Sequence, residues 1–368
     1  MSFFINRRRF MQATSSAVAL GALSSAVGRA QAGAPGELRV NMSGGNWGEA
    51  FQEAFVKPFE AETGVKVVPI TQDLSTSQIA LMVKSNNVSV DVTLNNVMGN
   101  LVQGDAGYLE KIDYSIFNKE DLDTTVDYCK QPFGFGPYVY SQNMVWNTEK
   151  FPSGKPRPTT WAEFWDVEKF PGTRSLETGA GGSEGPFEEA LLADGVPMDA
   201  LYPMDVDRVF ASLDKIKPHI RKWWTSGSEV LQIMRDDVAD IAQSYDGRAI
   251  SLVDAGEPIE INRNQAKLMW DMLAIPKGGP NVELAQKFIA STARPDRQAT
   301  WAKLFAQSPS NSKAYSLLSD KTARKLATHP DYIANSYPAN AKWYAEVGPD
   351  GMSNAQRLIQ RWNEWVLR

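Results

Sequence analysis

Lys267-Leu-Met-Trp-Asp-Met-Leu-Ala-Ile-Pro276 is a short apolar run with one carboxylate, Asp271, near its middle. Its length is too small for a typical helix, and Pro276-Lys277-Gly278-Gly279-Pro280 stops it at once, so it reads as a buried strand. Asp271 is the anomaly in it. An unpaired carboxylate in an apolar strand costs several kcal/mol, so a cation or a hydrogen-bond donor has to meet it. That partner comes either from the protein, as a structural salt bridge or strand-end cap, or from a bound ligand.

Upstream, the chain alternates strands and helices. Gly36–Asn41 reads as a strand, and Ser43-Gly-Gly-Asn-Trp-Gly48 as a turn that sets Trp47 just beyond it. A helix from Trp47 to Glu62 carries Phe51, Ala54, Phe55 and Phe59 on one face and exits at Thr63-Gly64, and Val65–Ile70 is the second strand. The opening is therefore a β-α-β unit with a right-handed crossover. A helix over 75–84 and a strand over 88–94 follow, ending at Asn95. In open parallel sheets ligands collect at the carboxyl ends of strands, which makes Trp47 and Asn95 candidate contacts.

Alternation through Phe133–Tyr140 and Ser141–Asn147 predicts strands, and Thr159-Thr-Trp-Ala-Glu163 caps a helix whose Trp161, Phe164 and Trp165 are core candidates. Further on come a strand at 174–178, helices from Phe187, over 206–217 and over 228–236, and strands at 218–224, 239–247 and 259–262. Helices at 281–293 and 295–306 lie beyond the opening run. Trp224, Tyr245 and Asp246 fall at strand ends, and Arg248 opens a helix beside them. Aromatic faces next to carboxylates are what a desolvated alkylammonium needs.

With 368 residues, 43% hydrophobic and 22% charged, the chain suits two domains or one two-lobed body. Cys129 is the only cysteine, so no intrachain disulfide or zinc-type ligand set can form, and neither a metal nor a cofactor is expected. Residues 1–32 read as an export signal: basic Arg7-Arg8-Arg9, an Ala/Leu/Val-rich run, and a small-residue cleavage site at Ala30-Gln31-Ala32. The order Arg7-Arg8-Arg9-Phe10-Met11-Gln12 suits a twin-arginine signal, and a plain basic leader suits it too; both lead to the periplasm. Setting those residues aside removes four arginines and no acids, which takes the formal net charge from −5 to about −9. An acidic chain with no basic cluster argues against nucleic acid.

One enzymatic pattern stands out. Gly181-Gly-Ser-Glu-Gly185 matches a nucleophile elbow, with Ser183 as nucleophile and His329 in the order a hydrolase triad requires. The loop could equally be an anion cradle ahead of the helix from Phe187. Against the elbow, Glu177-Thr-Gly-Ala-Gly-Gly182 puts slack between the strand and Ser183, where the motif needs an apolar strand delivering the serine directly. An exported serine hydrolase is the alternative to a binding protein.

The chain resembles the periplasmic solute-binding proteins of ABC importers, in the spermidine/putrescine-type branch, over almost all of its length after the leader. The resemblance rests on Gly45-Asn-Trp-Gly-Glu49 with the helix to Glu62-Thr-Gly-Val-Lys66, on Thr160-Trp-Ala-Glu-Phe-Trp165, on Tyr245-Asp-Gly-Arg248, on Trp270-Asp-Met-Leu-Ala-Ile-Pro276 and on Pro309-Ser-Asn311. It implies an α/β, two-lobed periplasmic-binding-protein fold of type II, with interlobe crossings near Tyr138–Ser141, Asp271 and Ser308–Asn311. Lobe 1 is then 36–140 plus 271–310, and lobe 2 is 141–270 plus 311–368. It also implies a monomer that closes on a small amine-bearing solute and docks on a membrane permease without chemistry. On the family pattern Trp47 and Asp271 match an aromatic wall and an amine-binding carboxylate, Glu49 a terminal amine contact, and Tyr245 another aromatic. Ser183 and Glu184 lie in a loop where polyamine-binding members carry more acids, and Met269 stands where the family often has tryptophan. Those departures, with Arg248 nearby to hold a carboxylate, make a zwitterionic amine such as an amino acid or opine-like compound nearly as well suited as a polyamine, and they leave a simple organic acid open.

Overall fold

The computed structural model describes residues 36–72 and 74–368, so the export-signal reading of residues 1–32 lies outside the described residues. The run that opens the sequence is where the fold divides, because it serves two sheets rather than one. Strand β10 (Ile259–Met269) ends before Trp270, and β11 (Asp271–Ala274) begins after it. Lys267, Leu268 and Met269 pair antiparallel with Gln142, Ser141 and Tyr140 of β6 (Tyr138–Asn147), whereas Asp271 to Ala274 pair antiparallel with β3 (Thr93–Asn96). The expected single strand over 267–276 is therefore two, broken at the residue where the chain leaves one sheet for the other.

The first body contains the predicted β-α-β unit. Strands β1 (Glu37–Asn41) and β2 (Lys66–Ile70) are parallel, and a helix over 45–63, with a π turn at Gln52–Val56, connects them. Gly64 ends the helix at φ 71°, a left-handed geometry that glycine adopts without strain. Phe51, Ala54, Phe55 and Phe59 are buried against Phe288 and Trp301 of the later helices Val282–Thr292 and Pro295–Phe305. A bridge from Val40 to Val92 links this pair to the sheet β3-β11-β5-β4, where β4 is Lys130–Gln131 and β5 is Gly134–Phe135. Regular strand geometry starts at Thr93 rather than at residue 88.

The second body is built on a sheet in the order β13-β10-β6-β9-β7-β8, where β7 is Arg174–Glu177, β8 Ile220–Trp224, β9 Ile241–Tyr245 and β13 Ser336–Pro338. Trp161 and Phe164 lie in its core with Phe187, Leu213 and Trp362. A short strand β12 (Ser308–Pro309) pairs with Val139 and Tyr138 at the start of β6. The chain thus passes between the two bodies before Tyr138, at Trp270 and around Ser308–Asn311. Among the described residues no helix is long and apolar enough to cross a membrane, and no cluster of His, Cys, Asp and Glu could hold a metal ion.

Lys267, the first residue of the opening run, is wholly buried. Its ammonium lies 2.9 Å from Glu188, 3.1 Å from Glu189 and 2.8 Å from the Gly185 carbonyl, and both carboxylates are equally buried. Burial alone would lower the lysine pKa, but the two carboxylates outweigh it and hold Lys267 charged. Burial also pushes Glu189 up to about 7, with Lys267 pulling the other way. Removing the cation strands two carboxylates in the interior, so Lys267→Met is expected to lower unfolding free energy by about 3–5 kcal/mol. Urea denaturation measures this, and a loss under about 1 kcal/mol would mean that the cluster does not organise this body.

Candidate functional site

Between the two bodies lies a cavity of about 720 Å³. Trp47, Tyr140, Glu184, Tyr245, Asp246, Arg248 and Asp271 all line it, together with Gly227, Phe305 and Gln307. The first turn of the helix after β1, which starts at Gly45 rather than at Trp47 as the sequence suggested, presents Trp47; its ring stacks on Phe51 at 4.8 Å and meets Trp301 edge-on at 5.2 Å, so the core behind holds it. Asp271 opens β11, directly beyond the break in the strand run.

Of the carboxylates that line the cavity, two are each backed by a tyrosine. On one side the Tyr138 hydroxyl donates to Asp271 at 2.8 Å. On the other, the Tyr245 hydroxyl donates to Glu184 at 2.7 Å. Burial raises the Asp271 carboxyl from 3.8 to about 7; the Tyr138 hydrogen bond opposes that rise, and the negative charge of Glu184 adds to it. Burial likewise pushes the phenols of Tyr138, Tyr140 and Tyr245 well up, so they stay protonated donors. A second charged group approaching Asp271 has to be a cation to be favourable, because the site already holds Asp271 and Glu184 within electrostatic reach of each other.

Arg248 supplies the opposite sign. It is exposed, lies on the first turn of the helix Asp246–Asp254, and makes no ion pair among the described residues. Asp254, which also lines the cavity, is already paired with Lys325 at 2.6 Å. Asp246 is buried, and its carboxylate accepts from Ser141 at 3.0 Å and from the Gly247 N–H at 2.8 Å, so it braces the wall rather than offering a free charge.

The remaining sequence candidates sit elsewhere. Glu49 faces a shallow depression beside the cavity with Glu53, Lys57 and Leu304. Asn95 is buried, with its amide directed to Thr93 at 3.2 Å. Trp224 is fully buried, donates to the Gln243 carbonyl at 3.0 Å and supports Tyr245 edge-on at 5.3 Å, which makes it the floor under a wall residue. Trp270 points away from the cavity and packs on Tyr128 at 4.6 Å, as the alternation of strand faces requires. Tyr138 and Tyr140 escaped the sequence reading; their spacing of two within one strand was the available signal.

The glycine-rich loop has a structural explanation. A Cβ on Gly179 would come within 2.4 Å of the Trp362 ring, and one on Gly185 within 2.7 Å of Phe187. The Gly182 and Gly185 N–H groups are spent within the loop on the Gly179 and Gly182 carbonyls, so they do not form an anion cradle. Ser183 makes no hydrogen bond to His329, whose Nδ1 instead accepts from the Asp331 N–H at 3.2 Å. The hydrolase reading therefore lacks its base.

The family of bacterial extracellular solute-binding proteins matches residues 54–330. The chain belongs to it. This solute-binding protein is 30% identical over 339 residues to the gamma-aminobutyric acid-binding protein of Pseudomonas aeruginosa, covering 90% of this chain and 91% of that one. It is 25% identical over 311 residues to the spermidine/putrescine-binding periplasmic protein of Escherichia coli, covering 82% and 86%. Among solved structures, an ABC transporter substrate-binding protein from Bradyrhizobium japonicum superposes with a TM-score of 0.80 at 30% identity, covering 89% of this chain and 99% of that one. A GABA receptor structure superposes with a TM-score of 0.78 at 30% identity, covering 89% and 97%. The solute-binding protein has the two-lobed α/β fold of type II that the sequence resemblance implied, and these comparisons lend no support to the serine hydrolase alternative.

Proposed function

We propose that this solute-binding protein captures a zwitterionic ω-amino acid of about the size of 4-aminobutyrate and delivers it to the permease of an ABC importer. The observation that carries this reading is the pairing of charges around one cavity: Asp271 and Glu184, each braced by a tyrosine, and an unpaired guanidinium at Arg248. The ammonium end sits between the two carboxylates, against Trp47 and Tyr140, and the carboxylate end on Arg248. The relatives that bind gamma-aminobutyric acid support this choice over a polyamine, since a polycation gains nothing from the arginine. A single ligand of this size fills only part of 720 Å³, so capture involves closure of the lobes about the crossings before Tyr138, at Trp270 and around Ser308–Asn311. The protein works in the periplasm, as a monomer and without transforming its solute.

A thermal-shift comparison tests the reading. 4-Aminobutyrate raises the melting temperature by several degrees at saturating concentration, by mass action on the folded state. Butyrate and butylamine, each carrying one of the two charges, do not. Stabilisation by putrescine or spermidine with none by 4-aminobutyrate would refute it.

A further inference from the structure

The Tyr245 hydroxyl has more partners than one proton can serve. Its oxygen is 2.7 Å from Glu184 and also 3.1 Å from Glu177. A phenol has one O–H, so two ionised carboxylates at these distances would leave one oxygen pair in unrelieved repulsion. The contacts are consistent only if one acid keeps its own proton and donates it to the phenol oxygen. Glu177 ends β7 and is buried, whereas Glu184 is half-buried and faces the cavity.

The side chains around Glu177 have a fixed sense. Lys267 holds Glu188 and Glu189; Glu189 accepts from the Gln243 amide at 3.0 Å; Gln243 in turn donates to the Gln142 carbonyl oxygen at 3.3 Å and accepts from the Glu177 N–H at 3.0 Å. Gln142 must therefore turn its NH₂ toward Glu177 and the Glu184 carbonyl, the latter at 3.1 Å. One Glu177 oxygen thus accepts from Gln142, and the other, facing Tyr245, is left to carry the proton. Among the titratable groups around it, burial comes first in raising its pKa well above the ordinary value; Glu184 and Glu189 add to this, and Lys267 and the Tyr245 hydrogen bond oppose it.

We infer that Glu177, which does not touch the cavity, is a positioning residue that sets the charge preference of the amine site. Its proton goes to the Tyr245 oxygen, and the Tyr245 proton is thereby committed to Glu184. The second oxygen of Glu184 stays a charged acceptor facing the ligand, and this corner carries one negative charge instead of two. With Arg248 opposite, that balance suits a zwitterion; an ionised Glu177 would shift the site toward a dication. The inference rests on the amino-acid reading above for its ligand, though the protonation of Glu177 can be measured without one.

Glu177→Gln keeps a donor for Tyr245 and an acceptor for Gln142, so affinity for 4-aminobutyrate by calorimetry should stay within about twofold. Glu177→Leu removes the donor and should weaken binding by about tenfold, while the same change in a Tyr245→Phe background should add no further loss. An infrared difference spectrum of the empty protein at about pH 8 should contain a protonated-carboxyl stretch that Glu177→Gln removes. A tenfold loss in Glu177→Gln, additive losses in the double variant, or absence of that band would each overturn the inference. If 4-aminobutyrate fails to bind the unaltered protein, the ligand reading falls, and the infrared band still decides the state of Glu177.

Discussion

Replacing Asp271 with asparagine is expected to weaken 4-aminobutyrate binding by about 3 kcal/mol, roughly 100-fold, and yet to make the empty protein more stable at neutral and alkaline pH. Both effects come from the same carboxyl. In the folded protein it titrates near 7 rather than at 3.8, chiefly because it is buried. Between those values the folded state holds a proton that the unfolded chain has already lost. The contribution of Asp271 to stability is therefore fully present below 3.8 and falls as pH rises through this window. Asparagine does not titrate, so the variant avoids that loss and should unfold at a higher temperature than the natural protein at about pH 8. A ligand ammonium repays the cost by pairing with the carboxylate. Binding should thus strengthen with pH, by up to about tenfold per unit below about 7, and level off above it. Calorimetric titration from pH 5 to 9 measures this, and the slope should vanish in Asp271→Asn. A pH-independent affinity in the natural protein, or an asparagine variant that binds normally, would remove Asp271 from the amine site.

Arg248→Gln should produce the second-largest effect on ligand affinity and a change of preference with it. The guanidinium is exposed, so its pairing with a ligand carboxylate is screened until the lobes close over it. A charge-assisted pair formed on closure is worth about 1.5–3 kcal/mol, which corresponds to a loss of roughly 10-fold to 100-fold for 4-aminobutyrate. A ligand without a carboxylate loses nothing. Putrescine binding should hold steady or improve, because the repulsion between arginine and the second ammonium is gone. Competition titrations of the two ligands on both proteins measure the preference, and an equal loss for both would mean that Arg248 acts on the wall instead of on the ligand.

The anomaly of one acid in an apolar strand was legible in the sequence, because the apolar run of 267–276 is short and ends at once on Pro276-Lys277-Gly278-Gly279-Pro280. The break at Trp270 was not. Alternation tells which residues share a face, but not that Lys267–Met269 and Asp271–Ala274 bond to different neighbours, which depends on the long-range pairing with β6 and β3. The meeting of Trp47 with Asp271 in one cavity came from the family resemblance, since over 200 residues separate them in the chain. Trp224 illustrates the opposite difficulty. It stands at the end of a strand, as a wall residue would, but its sheet is covered on both faces, and the ring turns into the core. Glu177 read as slack before Ser183 for a related reason. Its role depends on a hydrogen-bond chain through Gln142 and Gln243 that strand register alone creates.

The most direct test is a structure of the protein crystallised with 4-aminobutyrate. The ligand nitrogen should lie within hydrogen-bond distance of both Asp271 and Glu184, with its carboxylate on Arg248 and the lobes closed around it. A ligand bound in the reverse sense, or seated away from the Trp47–Asp271 cavity, would contradict the account.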